Sequence, residues 1–293
     1  MIDRKKLVLV GPAGVGKTTL EKVYFEHMNP ISLLKEPIQP SRGINSKIYT
    51  TSKTDLGVFD LAGQENEIWF SDRGKEVFSE SNLIICVFDI SNSLESIIKF
   101  IIDIYKLKKD LNLVSCNIVA FLHKIDLRST SYVHRKLKII EDFITIQHPQ
   151  GKDFEIYQTS ITKDNFYNTF CIISEILNII IKREKNPIKD KEFQKLKNQL
   201  SILIKSDIHT KHNIDDFARN LKINAEEVQF YIRELEKLGV VESFDDYNFF
   251  KLTNRAYYFK IGLEQNKIKI GNSGFIKIID LFHIFFCLKE KED

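Results

Sequence analysis

Gly11-Pro12-Ala13-Gly14-Val15-Gly16-Lys17-Thr18 has the spacing G-x-x-x-x-G-K-[ST], set between the apolar run Leu7–Val10 and a helix-like segment that starts at Thr18. That is the strand–loop–helix context in which such a loop binds phosphate. Glycines let the backbone curl so that successive N–H groups converge on one point, and the positive end of the helix dipole adds to the attraction for an anion. A triphosphate is the guest this chemistry selects: Lys17 reaches the β- and γ-phosphates and the Thr18 hydroxyl takes one position on Mg²⁺. Gly11, Ala13, Gly14, Val15, Gly16, Lys17, Thr18 and Thr19 are therefore the candidate phosphate-binding residues, and the loop alone leaves ATP and GTP open.

Four further segments bear on the guest. Asp60-Leu61-Ala62-Gly63-Gln64 ends an apolar run; Asp60 there can hold Mg²⁺ through water, the Gly63 N–H can meet a γ-phosphate, and Gln64 can orient an attacking water. Taken alone, the same spacing also fits a strand that ends in a turn. His123-Lys124-Ile125-Asp126 closes another apolar run, at the place where guanine-binding proteins carry N-K-x-D. Asp126 can accept from guanine N1–H and the 2-amino group, whereas adenine would leave the carboxylate unpaired, so GTP is favoured over ATP. The Lys124 stem can lie across the base. His123, standing where Asn is usual, either ties this loop to the phosphate loop or is simply a strand-end histidine. Ser160 and Ile161, after Thr159, would close the base pocket. In Pro40-Ser41-Arg42-Gly43-Ile44, Ser41 is the candidate second hydroxyl on Mg²⁺, though an ordinary loop serine would look the same, and Arg42 is the nearby candidate for a catalytic arginine in cis.

Positioning these groups requires strands that end where the motifs begin. Apolar and β-branched runs at 5–10, 47–51, 56–60, 83–89, 117–123 and 154–159 alternate with helix-period stretches at 18–27, 94–107, 131–146 and 164–181. Alternation of this kind predicts an α/β fold: a six-stranded, mostly parallel sheet with helices on both faces. The runs 47–51 and 56–60 are joined by a short turn and should form an antiparallel hairpin at one edge.

Five motifs in this order on strand ends make residues 1–183 resemble the small GTPase fold. Within that superfamily the segment is most similar to the Rag/Gtr GTPases, on the H-K-x-D form of His123–Asp126, Thr159-Ser160-Ile161, and the Gln64 ending of D-x-x-G-Q. The resemblance implies cycling between GTP and GDP, and work in homo- or heterodimers that signal nutrient status through protein partners such as activating proteins and effectors. The Pro40–Ile44 segment departs towards Arf-like and Gα-like switches, which fits a deeply branching relative such as an archaeal one. Gα-type enzymes carry an Arg three residues before the Mg²⁺ hydroxyl, and Ile38 stands there instead, so intrinsic hydrolysis should be on the order of 10⁻⁴ to 10⁻² s⁻¹.

A polar stretch at 184–190, broken by Pro187, marks a linker. The roadblock pattern that Rag/Gtr proteins carry after the G domain is not found in 191–293. That part reads as a small α+β winged helix: helices over 193–205, 214–221 (capped by Asn213) and 225–238, a hairpin of 240–244 and 247–252 around Asp245-Asp246, and a last helix capped by Thr253. Winged helices are found on DNA, but Glu226, Glu227, Glu234 and Glu236 face only Arg233 and Lys237 on the would-be recognition helix. A phosphate-lined groove would repel it, which favours protein–protein contact over a nucleotide-gated DNA-binding regulator. Phe275–Leu288 is apolar around most of a helical circumference and should be buried on several sides, against the core or a second copy.

Bulk properties agree with an ordinary globular protein. Over 293 residues, 43% apolar and 28% charged with a net charge of +3, there is no basic stripe for nucleic acid. The four cysteines lack metal-type spacing and read as free thiols in a reducing, cytoplasmic setting. No signal peptide, lipidation site or membrane-spanning run is read, so direct membrane insertion is not expected.

Overall fold

The computed structural model describes residues 2–36, 38–51, 54–147, 154–181, 190–208, 210–268, 278–279, 282 and 288–291. In chain order the elements begin β1 (Asp3–Val10), α1 (Lys17–Tyr24), α2 (Pro30–Lys35), β2 (Ile44–Thr50), β3 (Thr54–Leu61), α3 (Asn66–Trp69), β4 (Leu83–Asp89), α4 (Leu94–Asp110), β5 (Asn117–His123), α5 (Thr130–Gln147) and β6 (Phe154–Thr159). They continue α6 (Phe166–Ile181), α7 (Asp190–Lys205), β7 (His212–Asn213), α8 (Ile214–Leu221), α9 (Ala225–Lys237), β8 (Val241–Phe244), β9 (Phe249–Leu252), α10 (Asn254–Gln265) and β10 (Lys289–Glu290). Two compact units emerge from the contacts, one of residues 1–21, 38–161 and 288–293, the other of 22–37 and 162–287. The sequence reading drew its boundary at 184–190, of which 184–189 lies outside the described residues; by contacts, α6 groups with the C-terminal elements.

In the first unit the sheet runs β10-β2-β3-β1-β4-β5-β6. β1 pairs in parallel with both β3 and β4, and β5 and β6 continue in parallel, while β2 and β3 form the antiparallel hairpin expected at the edge. The chain passes from β1 to one side of the sheet and later to the other. Such a reversal of strand order opens a crevice at the C-terminal strand ends, where ligands of α/β sheets bind. β4 and β5 are unbroken apolar runs because both faces of the sheet are buried. On one face Val8, Val10, Ile84, Cys86, Phe88, Ala120 and Leu122 share a core with Ile97, Ile101 and Ile104 of α4 and Val133 and Ile140 of α5. The six strands read from the sequence are joined by a seventh, β10, whose two residues pair antiparallel with Tyr49 and Thr50 on the open side of β2.

The second unit holds a three-stranded sheet, β7-β9-β8, and helices in the order expected from the sequence. Asn213 caps α8, Lys222 turns the chain through a left-handed φ of 58°, Asn224 caps α9, and Thr253 caps α10. α6 and α10 meet through aromatic rings: Phe259 lies edge-on to Phe166 at 4.9 Å and to Phe170 at 4.7 Å. Of the apolar segment Phe275–Leu288, the described residues Ile278, Ile279, Phe282 and Leu288 are all buried, and Phe282 packs on Phe170 and Phe259. Lys277, Asp280, His283 and Cys287 lie outside the described residues. Cys86, Cys116 and Cys171 are free thiols.

Arg255, at the start of α10, is buried in this unit. Its guanidinium donates to the Val23 and Met28 carbonyls and lies 3.3 Å from His27 Nδ1, between the rings of Phe166 and Phe259. Burial lowers its pKa to about 10, which leaves it charged near neutrality. Arg255→Met removes the donors and leaves the buried Val23 carbonyl and the part-buried Met28 carbonyl unsatisfied, so urea denaturation should show a loss of about 2–4 kcal/mol. Arg255→Lys, without the planar fork, should recover little of it. A midpoint for Arg255→Met equal to the wild type would mean that those carbonyls find water instead.

Candidate nucleotide-binding site

All the sequence-selected site residues fall in the first unit, around the C-terminal ends of β1, β3, β5 and β6. The loop between β1 and α1 comes close to the strand end at His123: a Cβ on Gly16 would stand 2.9 Å from His123 Cδ2, so a side chain there would displace the ring. Lys17 is buried, and its ammonium donates to the carbonyls of Gly11 at 2.9 Å and Pro12 at 3.0 Å. Burial pulls its pKa down to about 8, against the attraction of Asp60. Val15 is buried and Thr19 half-buried, whereas Ala13 and Gly14 are exposed at the outer turn of the loop.

Three oxygen-bearing side chains from separate elements converge beside Lys17. Thr18 Oγ1 donates to Asp60 Oδ2 and lies 2.9 Å from Ser41 Oγ, and the Ser41 hydroxyl stands near enough to favour the ionised Asp60 carboxylate. Asp60 is fully buried, and desolvation raises its pKa despite these hydrogen bonds and Lys17. Its second oxygen, Oδ1, is buried without a hydrogen-bond partner. Two hydroxyls and a carboxylate with an unsatisfied oxygen form a donor set that suits a hard divalent cation such as Mg²⁺. Gly63 brings the end of β3 against the phosphate loop, where a Cβ would stand 2.4 Å from the Pro12 carbonyl carbon and 2.5 Å from Ala13 N. Gln64 and Arg42 are both exposed, and Arg42 makes no hydrogen bond or ion pair among the described residues.

At the other end of the crevice, His123 Nδ1 lies 3.0 Å from Thr159 Oγ1 while its opposite edge faces Gly16. The ring thus joins β5, β6 and the phosphate loop. Lys124, at a left-handed φ of 59°, donates from Nζ to Gly14 O at 2.6 Å and pairs with Asp89 Oδ2 at 2.9 Å. Asp126 is exposed, and its Oδ1 accepts from Ser160 Oγ at 2.5 Å. Ser160 and Ile161 are buried behind it. Sequence reasoning passed over Asp89 and Thr159 as partners. Asp89 was within reach, because it ends β4 as His123 ends β5, and the two are register neighbours.

A parallel sheet whose central strand feeds a glycine-rich loop and a buried Lys17, with an acidic strand end and a carboxylate-bearing base loop beside it, defines a P-loop nucleotide-binding protein. The model of the Gtr1/RagA G protein conserved region matches residues 6–224, and the chain belongs to that family, which makes it a GTP-binding protein of the GTPase-switch type. No curated protein sequence matches it.

His123 has its pKa depressed to about 3, mainly by burial and then by the neighbouring Lys124, against Asp89. The folded protein keeps the ring neutral, whereas the unfolded chain takes up a proton near pH 6.5. Stability from this group is therefore complete above pH 6.5 and is lost as pH falls towards 3, by up to about 1.4 kcal/mol per pH unit. His27 of the second unit, depressed in the same way, adds a similar loss. His123→Asn carries no proton, so its denaturation free energy should fall less steeply between pH 6.5 and 5 than that of the wild type. Parallel profiles would show that His123 titrates normally in the folded protein.

Proposed function

We propose that the chain is a guanine-specific switch in which Gly11, Ala13, Gly14, Val15, Gly16, Lys17, Thr18 and Thr19 hold the phosphates, and that GTP and GDP bind with Mg²⁺. The observation that carries the reading is the base loop: Asp126, steadied by Ser160 and flanked by a Lys124 anchored on Gly14, offers its free carboxylate oxygen to a donor pair that guanine has and adenine lacks. Thr18, Ser41 and Asp60 are the residues that would hold the cation, which when bound neutralises charge on the triphosphate. Gly63 N–H faces the γ-phosphate position, Gln64 orients water, and Lys17 stabilises charge developing on the transferred group. His123 braces the phosphate loop and Ile161 closes the base pocket.

Hydrolysis is slow on this reading. Arg42 is exposed and unengaged, so an activating partner has to complete the site. The C-terminal elements form a winged helix used for protein contact, since the exposed first turn of α9 carries Glu226 and the turn between β8 and β9 carries the exposed Asp245 and Asp246. No helix among the described residues is long and apolar enough to cross a membrane, and the free thiols favour a cytoplasmic place of work.

Competitive binding should rank GTP and GDP far above ATP. Asp126→Asn should weaken guanine nucleotides by about tenfold or more and improve xanthine ones, because the amide donates to the 2-oxo group. Equal affinity for ATP and GTP would end the guanine assignment. Gln64→Leu should leave GTP affinity within about twofold while lowering single-turnover hydrolysis at least about tenfold, since the side chain acts on water in the transition state. If Gln64→Leu hydrolyses GTP at the wild-type rate, another group orients the water.

A further inference from the structure

The pairing of β2 with β3 ends in an unusual exchange. Ile44 lies opposite Leu61, and one step further Ala62 N–H donates to Gly43 O at 3.0 Å, as an antiparallel ladder requires. The reciprocal bond, from Gly43 N–H to Ala62 O, would complete such a pair. It is not made. The Ala62 carbonyl turns into the single-turn helix Gly63–Glu65, where it accepts from Glu65 N–H at 3.1 Å and from Trp69 Nε1 at 2.9 Å. Gly43 N–H instead donates to the side chain of Glu65, at 2.9 Å to Oε1.

From this exchange we infer that Glu65 is a positioning residue that latches the Ser41 segment to the segment bearing Gln64. Residues 41–43 are held at both ends: Ser41 Oγ lies against Thr18 Oγ1 at 2.9 Å, and both polar backbone groups of Gly43 are bound by 62–65. A hydrogen bond to an ionised carboxylate is about twice as strong as a neutral one, so Glu65 supplies the firmer half of the second tie. Serine lacks the methyl group that limits a threonine rotamer, so the reach of Ser41 to the cation position depends on where its backbone is held. Glu65 fixes that backbone. Because Glu65 directly follows Gln64, the Ser41 and Gln64 segments shift together, and the hydroxyl and the water-orienting amide enter or leave the site as one body.

The inference rests on the reading of Ser41 as a cation-side hydroxyl, and two measurements on the full chain separate the failure of each. The first is amide exchange of Gly43 by NMR in nucleotide-free protein, which needs no GTP. Glu65→Ala should speed it about tenfold, the loss of one charge-assisted hydrogen bond, and Glu65→Gln only about threefold because its amide oxygen still accepts. The second is the Mg²⁺ concentration for half-maximal retention of a fluorescent GTP analogue. Glu65→Ala should raise it about tenfold, with Glu65→Gln between Ala and wild type, while retention in EDTA is the same for all three. Unchanged Gly43 exchange in Glu65→Ala overturns the latch; if that variant does not fold, unchanged exchange in Glu65→Gln does so. Faster exchange with an unaltered Mg²⁺ requirement overturns the positioning of Ser41. A wild type that retains no GTP analogue at any Mg²⁺ concentration refutes the nucleotide reading and leaves the exchange result to decide the latch.

Discussion

Lys17 and Asp60 share one dry space at the end of the central strand, and the site is organised around making that tolerable. Burial depresses the ammonium and raises the carboxyl, and in both cases desolvation outweighs their mutual attraction. Two buried opposite charges are seldom a net source of stability, because removing each from water costs more than their attraction returns. The protein offsets part of the cost with backbone carbonyls for Lys17 and hydroxyls for Asp60. A polyanion and a divalent cation would complete the neutralisation. The close approaches of Gly63 and Gly16 confine that completion to one place, since they leave no room for side chains between the strand ends and the loop.

Legibility in the sequence followed the length scale of the interaction. β4, β5 and β6 fall at the residues that hydrophobic runs mark, and Asn213 and Thr253 cap the helices they were expected to cap, because capping and burial are decided within a few residues. The convergence of Thr18, Ser41 and Asp60 could be guessed from motif order, and the structure brings them together. By contrast, Gly43 and Glu65 meet only because a ladder ends one residue early, and no local pattern announces where a ladder will fail. β10 was invisible for a related reason: two polar residues have no periodicity, and their pairing with Tyr49 and Thr50 depends on an edge formed far earlier in the chain. β7 is equally short and was equally silent.

The two ends of the crevice differ in how they are held. At the phosphate end, buried groups are crowded and each polar atom has few choices. At the base end, Asp126 is exposed and steadied by a single hydroxyl, while Lys124 reaches back to the loop and to Asp89. On the proposed reading, this division separates two tasks physically: the loop would supply attraction for any nucleoside triphosphate, and the Asp126 carboxylate would choose among bases.

β10 also bears on how the protein is made. Lys291, which extends the strand with a backbone bond to Ile48 O, reaches Asp55 across 236 positions of chain. During vectorial synthesis β2 can pair with β3 early, but its outer side stays bare until residues 289–291 have been made. Over that interval Ile44 and Ile48, each 47% exposed even in the finished fold, stand on an uncovered strand edge of the kind that recruits other chains. The ion pair between Lys47 and Glu290 shows how that edge is guarded once β10 has paired, and Lys47, a charge in the middle of the strand, guards it beforehand.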